Sequence, residues 1–184
     1  MLMVSDAGGV DIEDVAEKTP ERIQYVYFDN LEDFTISDSL QNKLNFSINE
    51  FNQFKEIVSN FLTVGAVGSS YDEEQVASFS NFGSVNVDVF APGSKIWSSV
   101  PNGKYEYYSG TSMAAPNAAG VAAVIRSFFP KLKARQVKKV LMNSGMPLYP
   151  TIENPDTSAL VSSKSLSRSG KMVNLYNALI YASK

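Results

Sequence analysis

The sequence predicts an α/β layered fold, with strands and helices arranged around one long apolar helix. Two observations support this prediction. Short runs of β-forming residues recur along the chain and end at Gly or Pro. Residues 112–129 are almost all small or apolar, which is typical of a helix that has no polar face and is buried in the core. The chain of 184 residues is long enough for one domain with a hydrophobic core.

The runs of β-forming residues predict the strands. Residues 1–9 start with an apolar run and end at Gly8-Gly9, which predicts a short buried strand that enters a turn. Residues 85–90 alternate between apolar and polar up to Ala91-Pro92-Gly93, where the strand is expected to break. The other predicted strands are 23–28, 61–67 and 96–100.

Four segments have the residue pattern of helices. Ser47 and Glu50 form a capping-box pattern that predicts a helix over 47–59. The apolar helix 112–129 ends at Pro130, and an amphipathic helix over 134–144 precedes Gly145, a suitable terminator. Asn174 is the expected N-cap of a last helix within 172–182. The polar segments 10–19 and 147–171 are predicted to be loops.

Composition excludes several kinds of chemistry. The net charge is −3 with no basic run, so the sequence does not predict a nucleic-acid partner. No apolar stretch reaches the roughly 18–20 residues that span a bilayer. The chain has no Cys and no His, which excludes a disulfide framework, a thiolate nucleophile and an imidazole base. Catalysis by this chain alone would need Asp, Glu, Lys, Tyr, Ser or Thr.

The segment with the clearest chemical meaning is Ser109-Gly-Thr-Ser-Met-Ala-Ala-Pro116, which enters the apolar helix. A serine near a helix N-terminus lies beside unpaired amides and the positive end of the dipole, which stabilise the oxyanion that a nucleophile creates. Gly110 permits a close approach of a substrate backbone. Pro116 removes the amide that would bond the Ser112 carbonyl. From this segment alone, a simple N-cap role for the serine or threonine is the more common explanation.

The segment Gly110-Thr-Ser-Met-Ala-Ala-Pro116, continuing to Ala119-Gly120, resembles the nucleophile motif of subtilisin-like serine proteases, the subtilases. Three earlier stretches follow the order and spacing of that family: 63–67 (TVGAV), 76–81 (VASFSN) and 87–93 (VDVFAPG). The resemblance runs from about residue 61 to 145, and more loosely to 184. The elbow motif Gly-x-Ser-x-Gly of α/β-hydrolases does not fit, because Ala114 occupies its last glycine position.

The resemblance implies a mostly parallel sheet with helices on both faces, and an endopeptidase that uses an Asp, His and Ser triad. Ser112 then takes the position of the nucleophile, and its backbone amide is one oxyanion donor. Thr111 and Met113 are its motif neighbours, with Met113 open to oxidation. Asn117 occupies a position where the family commonly has His.

The resemblance also implies that the triad Asp and His lie N-terminal to this chain. No Asp-Ser/Thr-Gly motif and no His occur here, so we expect an N-terminally truncated domain over 1–184, inactive alone. Gly9 stands where the family's oxyanion-hole asparagine is expected. Residues 10–60 form an insertion that is atypical for the family. The alternative is a degenerate, non-catalytic subtilase that acts as a binding or structural module.

The expected partners are a polypeptide substrate and either the missing N-terminal part of the domain or a separate protein. Calcium is possible by family, but Asp11-Ile-Glu-Asp14 does not have EF-hand spacing and gives no firm site. No other cofactor is evident. The family resemblance implies a secreted or cell-envelope protein. The run Tyr105, Tyr107 and Tyr108 is predicted to pack partly on the sheet and partly to stay exposed, with a substrate-cleft role as the alternative.

Overall fold

The computed structural model of the chain describes residues 3–6 and 60–184. Its strands are β1 (Met3–Asp6), β2 (Phe61–Val67), β3 (Val89–Pro92), β4 (Ile96–Val100), β5 (Lys104–Tyr108), β6 (Met146–Pro147), β7 (Thr151–Glu153), β8 (Leu160–Ser162) and β9 (Lys171–Met172). Its helices are α1 (Thr111–Phe128), α2 (Ala134–Ser144), α3 (Ser163–Leu166) and α4 (Leu175–Ala182). A 3-10 turn, Pro101–Gly103, connects β4 to β5.

The central sheet has the strand order β1-β2-β3-β9-β6. The pairs β1–β2, β2–β3 and β3–β9 are parallel, and β6 runs antiparallel to its neighbour β9. This confirms the mostly parallel sheet that the family resemblance implies. Two small antiparallel hairpins, β4–β5 and β7–β8, lie outside it.

Strand β2 forms the centre of the packing, and all seven of its residues are buried. Because neighbouring side chains of a strand point to opposite faces, the sheet separates two apolar clusters. Leu62, Val64 and Ala66 join the cluster that contains the buried residues of α1, α2 and α4. Val67 joins the second cluster, which includes Leu166 of the short helix α3. The prediction of a layered α/β fold is confirmed.

Helix α1 is buried on one face, whereas the sequence predicts burial all round. Ala114, Ala118 and Ile125 lie on the buried face. The opposite face is exposed and carries Ala119 and Ala123, so the apolar composition of α1 does not mean complete burial within the part of the chain that the structure describes. The small side chains instead let α1 pack closely on the sheet.

The strand predicted over 85–90 begins later and ends later, at Val89 and Pro92. The Val87 amide donates a hydrogen bond to the Gly83 carbonyl at 3.1 Å, which closes a turn where the alternation predicts strand. Pro92 has no amide hydrogen to donate to the sheet, and β3 ends at this residue.

The predicted loop 147–171 is wrong in part, because β7, β8 and α3 lie inside it. Leu148, Ile152 and Leu166 are almost fully buried in the second cluster. These three apolar residues are spread through a polar segment, so neither a helical nor a strand period stands out.

The C-terminal helices match the prediction closely. Helix α2 has the predicted bounds, and the Asn174 Oδ1 caps α4 by accepting the Asn177 amide at 2.9 Å. Gly145 follows α2 but has φ −55° and ψ 153°, so it is not the left-handed terminator that the sequence suggests. Position 145 needs a glycine because the chain passes close to β9 there, and a Cβ would lie 2.7 Å from the Met172 carbonyl oxygen. The predicted strand 23–28, loop 10–19 and helix 47–59 lie outside the described residues.

A buried ion pair between Asp88 and Lys138 holds the residue before β3 against α2. Asp88 is fully buried, and its Oδ2 lies 2.8 Å from the Lys138 Nζ and accepts the Thr63 amide at 3.0 Å. The Lys138 Nζ also donates to the Phe61 carbonyl at 2.6 Å, and the Arg168 Nη1 lies 3.6 Å from the Asp88 Oδ1. One lysine of α2 therefore holds the start of β2 to the residue that precedes β3.

Candidate active site

Ser112 lies at the carboxyl edge of the parallel sheet. The Gly93 amide, just after β3, donates to the Val67 carbonyl at the end of β2 at 3.0 Å. The Gly110 amide in turn donates to the Gly93 carbonyl at 2.8 Å, which places the start of α1 beside the ends of both strands. In open α/β sheets, ligands bind outside the carboxyl ends of the strands. Ser112 therefore occupies the edge where a functional site is expected.

The glycine of the 87–93 stretch is explained by this close approach. A Cβ on Gly93 would lie 2.7 Å from the Ala66 Cβ and 2.9 Å from the Gly110 carbonyl oxygen. It would also lie 3.2 Å from the Ala114 Cβ on the buried face of α1. Only a residue without a side chain lets β2, the end of β3 and the start of α1 meet in this way.

Ser112 is an exposed residue in the first turn of α1, and the preceding Thr111 is buried. The N-cap residue is Gly110, and no side chain caps the helix. The simple N-cap role, which the segment alone favours, is therefore wrong for both Ser112 and Thr111. The hydroxyl of Ser112 belongs to a residue at the solvent surface, at the positive end of an 18-residue helix.

The first turn of α1 is bonded to its N-cap residue, Gly110. The Met113 and Ala114 amides both donate to the Gly110 carbonyl, at 3.0 and 3.4 Å. Pro116 lies inside the helix and has no amide hydrogen to donate to the carbonyl four residues earlier. The Asn117 Nδ2 supplies two further bonds, to the Pro92 carbonyl at 2.9 Å and to the Met113 carbonyl at 3.1 Å.

The oxyanion-hole prediction for Gly9 lies outside the described residues. Strand β1 ends at Asp6, which pairs with Val64 in the parallel register of β1 and β2. The carboxyl end of β1 is therefore at the same edge of the sheet as Ser112. The place of Gly9 itself stays a prediction.

The β4–β5 hairpin leads directly into the nucleophile segment. Its base is closed by the Lys95 amide, which donates to the Ser109 Oγ at 2.8 Å. Trp97 contacts two tyrosines of β5, with ring centroids 6.1 Å from Tyr105 and 4.6 Å from Tyr107. All three rings are more than half exposed. The prediction that part of the tyrosine run packs on the central sheet is wrong, because these rings pack on Trp97.

Tyr108, next to the nucleophile segment, is also largely exposed. Its hydroxyl donates a hydrogen bond to the Glu106 Oε2 at 3.1 Å. This hydrogen bond and the negative charge of Glu106 raise the pKa of Tyr108 above its ordinary value. The raised pKa makes the deprotonated form of Tyr108 scarcer at neutral pH, which argues against Tyr108 as a base.

A cavity near the same sheet edge was not predicted from the sequence. Its volume is about 330 Å³, and it lies between Gly68 and Ser94, which follow β2 and β3, and the turn between β7 and β8. Glu74 and Glu153 are on its wall. Among residues 3–6 and 60–184, no group of three or more His, Cys, Asp or Glu could hold a metal ion. The calcium candidate Asp11-Ile-Glu-Asp14 lies outside those residues.

The packing around Gly93 gives a testable expectation. Gly93→Ala should destabilise the protein by roughly 1–3 kcal/mol, because the new Cβ must push apart Ala66 and Gly110. Urea unfolding measures this change. Gly68→Ala is the matched control, because a Cβ there meets only the Gln75 carbonyl oxygen, at an ordinary contact distance of 3.9 Å, and it should change stability by less than about 0.5 kcal/mol. Equal stability of Gly93→Ala and the wild type would contradict the close packing.

A serine at this edge, at the start of a helix packed on a mostly parallel sheet, fits an enzyme site of an α/β protein in which the helix N-terminus stabilises negative charge. The family model described as the subtilase family matches residues 33–170. The chain therefore belongs to the subtilase family. Among the described residues, no helix combines the length and apolar character that crossing a membrane requires.

Similar proteins agree with this assignment. Over 78 residues the chain is 46% identical to the cell wall-associated protease of Bacillus subtilis (strain 168), covering 42% of this chain and 9% of that protein. It is 51% identical over 77 residues to subtilisin NAT of Bacillus subtilis subsp. natto, covering 42% and 19%. The solved structure of the prenylagaramide maturation protease PagA matches with a TM-score of 0.52 and 30% identity, covering 67% of this chain and 42% of that one. The chain thus spans less than half of each of these relatives.

Proposed function

We propose that this chain is the C-terminal part of the catalytic domain of a subtilisin-like serine endopeptidase, with Ser112 as its nucleophile. The observation that carries the proposal is the exposed position of Ser112 in the first turn of α1, at the carboxyl edge of the sheet. The Ser112 Oγ attacks the carbonyl carbon of a peptide bond, and the Ser112 backbone amide is one donor to the oxyanion. The substrate is a polypeptide, cleaved by hydrolysis.

A second polypeptide segment must supply the base in this proposal. The chain has no His, so nothing in it can take the proton from Ser112 as a triad histidine does. The triad Asp and His then come from the N-terminal part of the domain or from a protein partner. By itself, the chain is inactive.

Two exposed surfaces support the proposal that another polypeptide segment packs on this chain. Within the described residues, β1 is the first strand of the sheet and pairs only with β2. The exposed face of α1 carries Ala119, Gly120 and Ala123, whose small size lets another segment approach the helix closely. We place the missing part of the domain on these two surfaces.

The family also suggests the extent of the domain, the calcium binding and the location of the protein. We expect the residues 1–184 to form a partial peptidase domain, with 10–60 as an insertion. Among residues 3–6 and 60–184, no three or more His, Cys, Asp or Glu form a group that could hold a metal ion, and calcium binding stays an expectation from family. A secreted or cell-envelope location fits the cell wall-associated relative.

A fluorophosphonate probe, which reacts with activated serines, tests the proposal. We expect no labelling of Ser112 in the isolated chain, because the chain has no histidine to activate the hydroxyl. Mass spectrometry of the probe-treated chain measures the adduct. Stoichiometric labelling at Ser112 would contradict the proposal, since it would reveal a base within these 184 residues.

The alternative is a degenerate subtilase that acts as a binding or structural module. Gly9, where the family's asparagine is expected, favours this alternative, because the loss of such a donor costs on the order of 10²–10³ in turnover. The coding sequence upstream of Met1 discriminates between the two proposals. Asp-Ser/Thr-Gly and His-Gly motifs there would support the peptidase, and a complete upstream sequence without them would contradict it.

A further inference from the structure

We infer that Asn117 is a positioning residue for Ser112, which it serves by tying the first turn of α1 to the end of β3. The inference rests on the proposed role of Ser112 as nucleophile. The Asn117 Nδ2 donates to two backbone carbonyls, so its effect is on the placement of the turn. Its side chain is exposed, which separates this role from core packing.

Two hydrogen bonds, one from a residue before Ser112 and one from a residue after it, join the start of α1 to the consecutive residues Pro92 and Gly93. Before Ser112, the Gly110 amide donates to the Gly93 carbonyl at 2.8 Å. After it, the Asn117 Nδ2 donates to the Pro92 carbonyl at 2.9 Å. Because both acceptors are at the end of β3, the two bonds fix the position and tilt of the turn relative to the sheet.

Two bonds that stabilise a regular helix are absent at the start of α1: a side-chain cap from the N-cap residue and a backbone bond from Pro116. Gly110 has no side chain to cap the helix, and one of the two bonds to its carbonyl is 3.4 Å long. Pro116 cannot donate the next helical bond. The Asn117 amide uses its two hydrogens on the Pro92 and Met113 carbonyls, the second at 3.1 Å, so it holds the turn to the sheet and to itself.

Aspartate is the sharpest replacement for testing this role. Asn117→Asp keeps the shape of the side chain but replaces the donor with an acceptor, so a carboxylate faces two carbonyl oxygens. The repulsion displaces the turn that carries Ser112. A nucleophile misplaced by about 1 Å can lose on the order of 10²-fold in rate. Asn117→His restores one N–H donor at a similar distance from the backbone.

The experiment measures kcat and KM for peptide hydrolysis in the full-length protein, the longer chain that we propose includes these residues. We expect Asn117→Asp to lower kcat by roughly 10- to 100-fold with little change in KM, and Asn117→His to recover most of the loss. Asn143→Asp is the matched control. Asn143 is an exposed asparagine on α2 whose Nδ2 donates to the Tyr181 hydroxyl at 3.2 Å, and its substitution should leave kcat unchanged.

Hydrogen–deuterium exchange of the peptide covering 110–118 gives a second measurement that does not depend on activity. Asn117→Asp should raise its exchange by roughly tenfold, while Asn143→Asp does not. If the wild-type protein has no activity, the proposed function fails. The exchange experiment then still tests whether the Asn117 bond to the Pro92 carbonyl holds the turn. If the wild type is active but Asn117→Asp changes neither kcat nor exchange, or if Asn117→His fails to recover kcat, the positioning role is overturned.

Discussion

Replacing Ser112 with Ala in the full-length protein should lower kcat for peptide hydrolysis by a factor on the order of 10⁶. That magnitude is the one measured for loss of the nucleophile in subtilisin, and we carry it over to this chain because both belong to the same family. The physical reason is that the remaining groups can still bind the substrate, but no hydroxyl can form the acyl-enzyme. KM should change little, because the substrate-binding surface is intact. Steady-state kinetics with a peptide substrate measure both parameters.

Ser127→Ala is the matched control for this prediction. Ser127 is also an exposed serine on α1, near the opposite end of the helix. Its substitution should leave kcat within about twofold of the wild type, as expected for a surface change far from the site. If Ser112→Ala keeps more than about 1% of the activity, Ser112 is not the nucleophile.

Replacing Lys138 with Met should give the largest loss of stability. The change leaves the buried Asp88 carboxylate without the ammonium group 2.8 Å away, and it also removes the donor to the Phe61 carbonyl. Breaking a buried ion pair by removing one partner costs about 3–5 kcal/mol. Arg168 lies 3.6 Å from the other carboxylate oxygen and is more exposed, so it compensates only in part. Urea unfolding measures the free energy of unfolding.

Lys139→Met controls for the loss of a lysine from α2. Lys139 is the neighbouring residue and is exposed, so its replacement should change stability by less than about 0.5 kcal/mol. The double substitution Asp88→Asn and Lys138→Met should be less destabilised than Lys138→Met, because the uncompensated charge is gone. Equal stability of Lys138→Met and Lys139→Met would contradict the stabilising role of the ion pair between Lys138 and Asp88.

The elements that the sequence predicts best are those with a continuous pattern. The strand 61–67 is a run of apolar residues interrupted only by Thr63, itself a β-forming residue, and its observed bounds agree. The helix 134–144 has a clear amphipathic period, and it too has the predicted bounds. In both cases local pattern and tertiary packing favour the same structure, so propensity is sufficient.

Other elements depend on contacts that no local pattern contains. The exposure of one face of α1 depends on what packs against that helix, and composition alone suggests burial on all sides. The segment 147–171 contributes Leu148, Ile152 and Leu166 to the core, although its composition is that of a loop. The late start of β3 at Val89 results from the turn that the Gly83 carbonyl closes.

In the candidate site, too, local motifs could be predicted from the sequence, whereas roles that depend on distant contacts could not. The motif around Ser112 could be predicted because it is contiguous. The role of Asn117 could not, because its Nδ2 bonds the Pro92 carbonyl, 25 residues away in the chain. The need for glycine at Gly93 likewise depends on the approach of Ala66 and Gly110. Gly9 lies outside the described residues, so the second oxyanion donor remains a prediction.

The most direct test of the central claim is the site of fluorophosphonate labelling in the full-length protein. The claim is that this chain contributes the nucleophile and that another segment contributes the base. It predicts a single adduct at Ser112 in the full-length protein, and no adduct when only residues 1–184 are present. An adduct on a different serine, or no adduct in a full-length protein that carries the upstream Asp and His motifs, would contradict the claim.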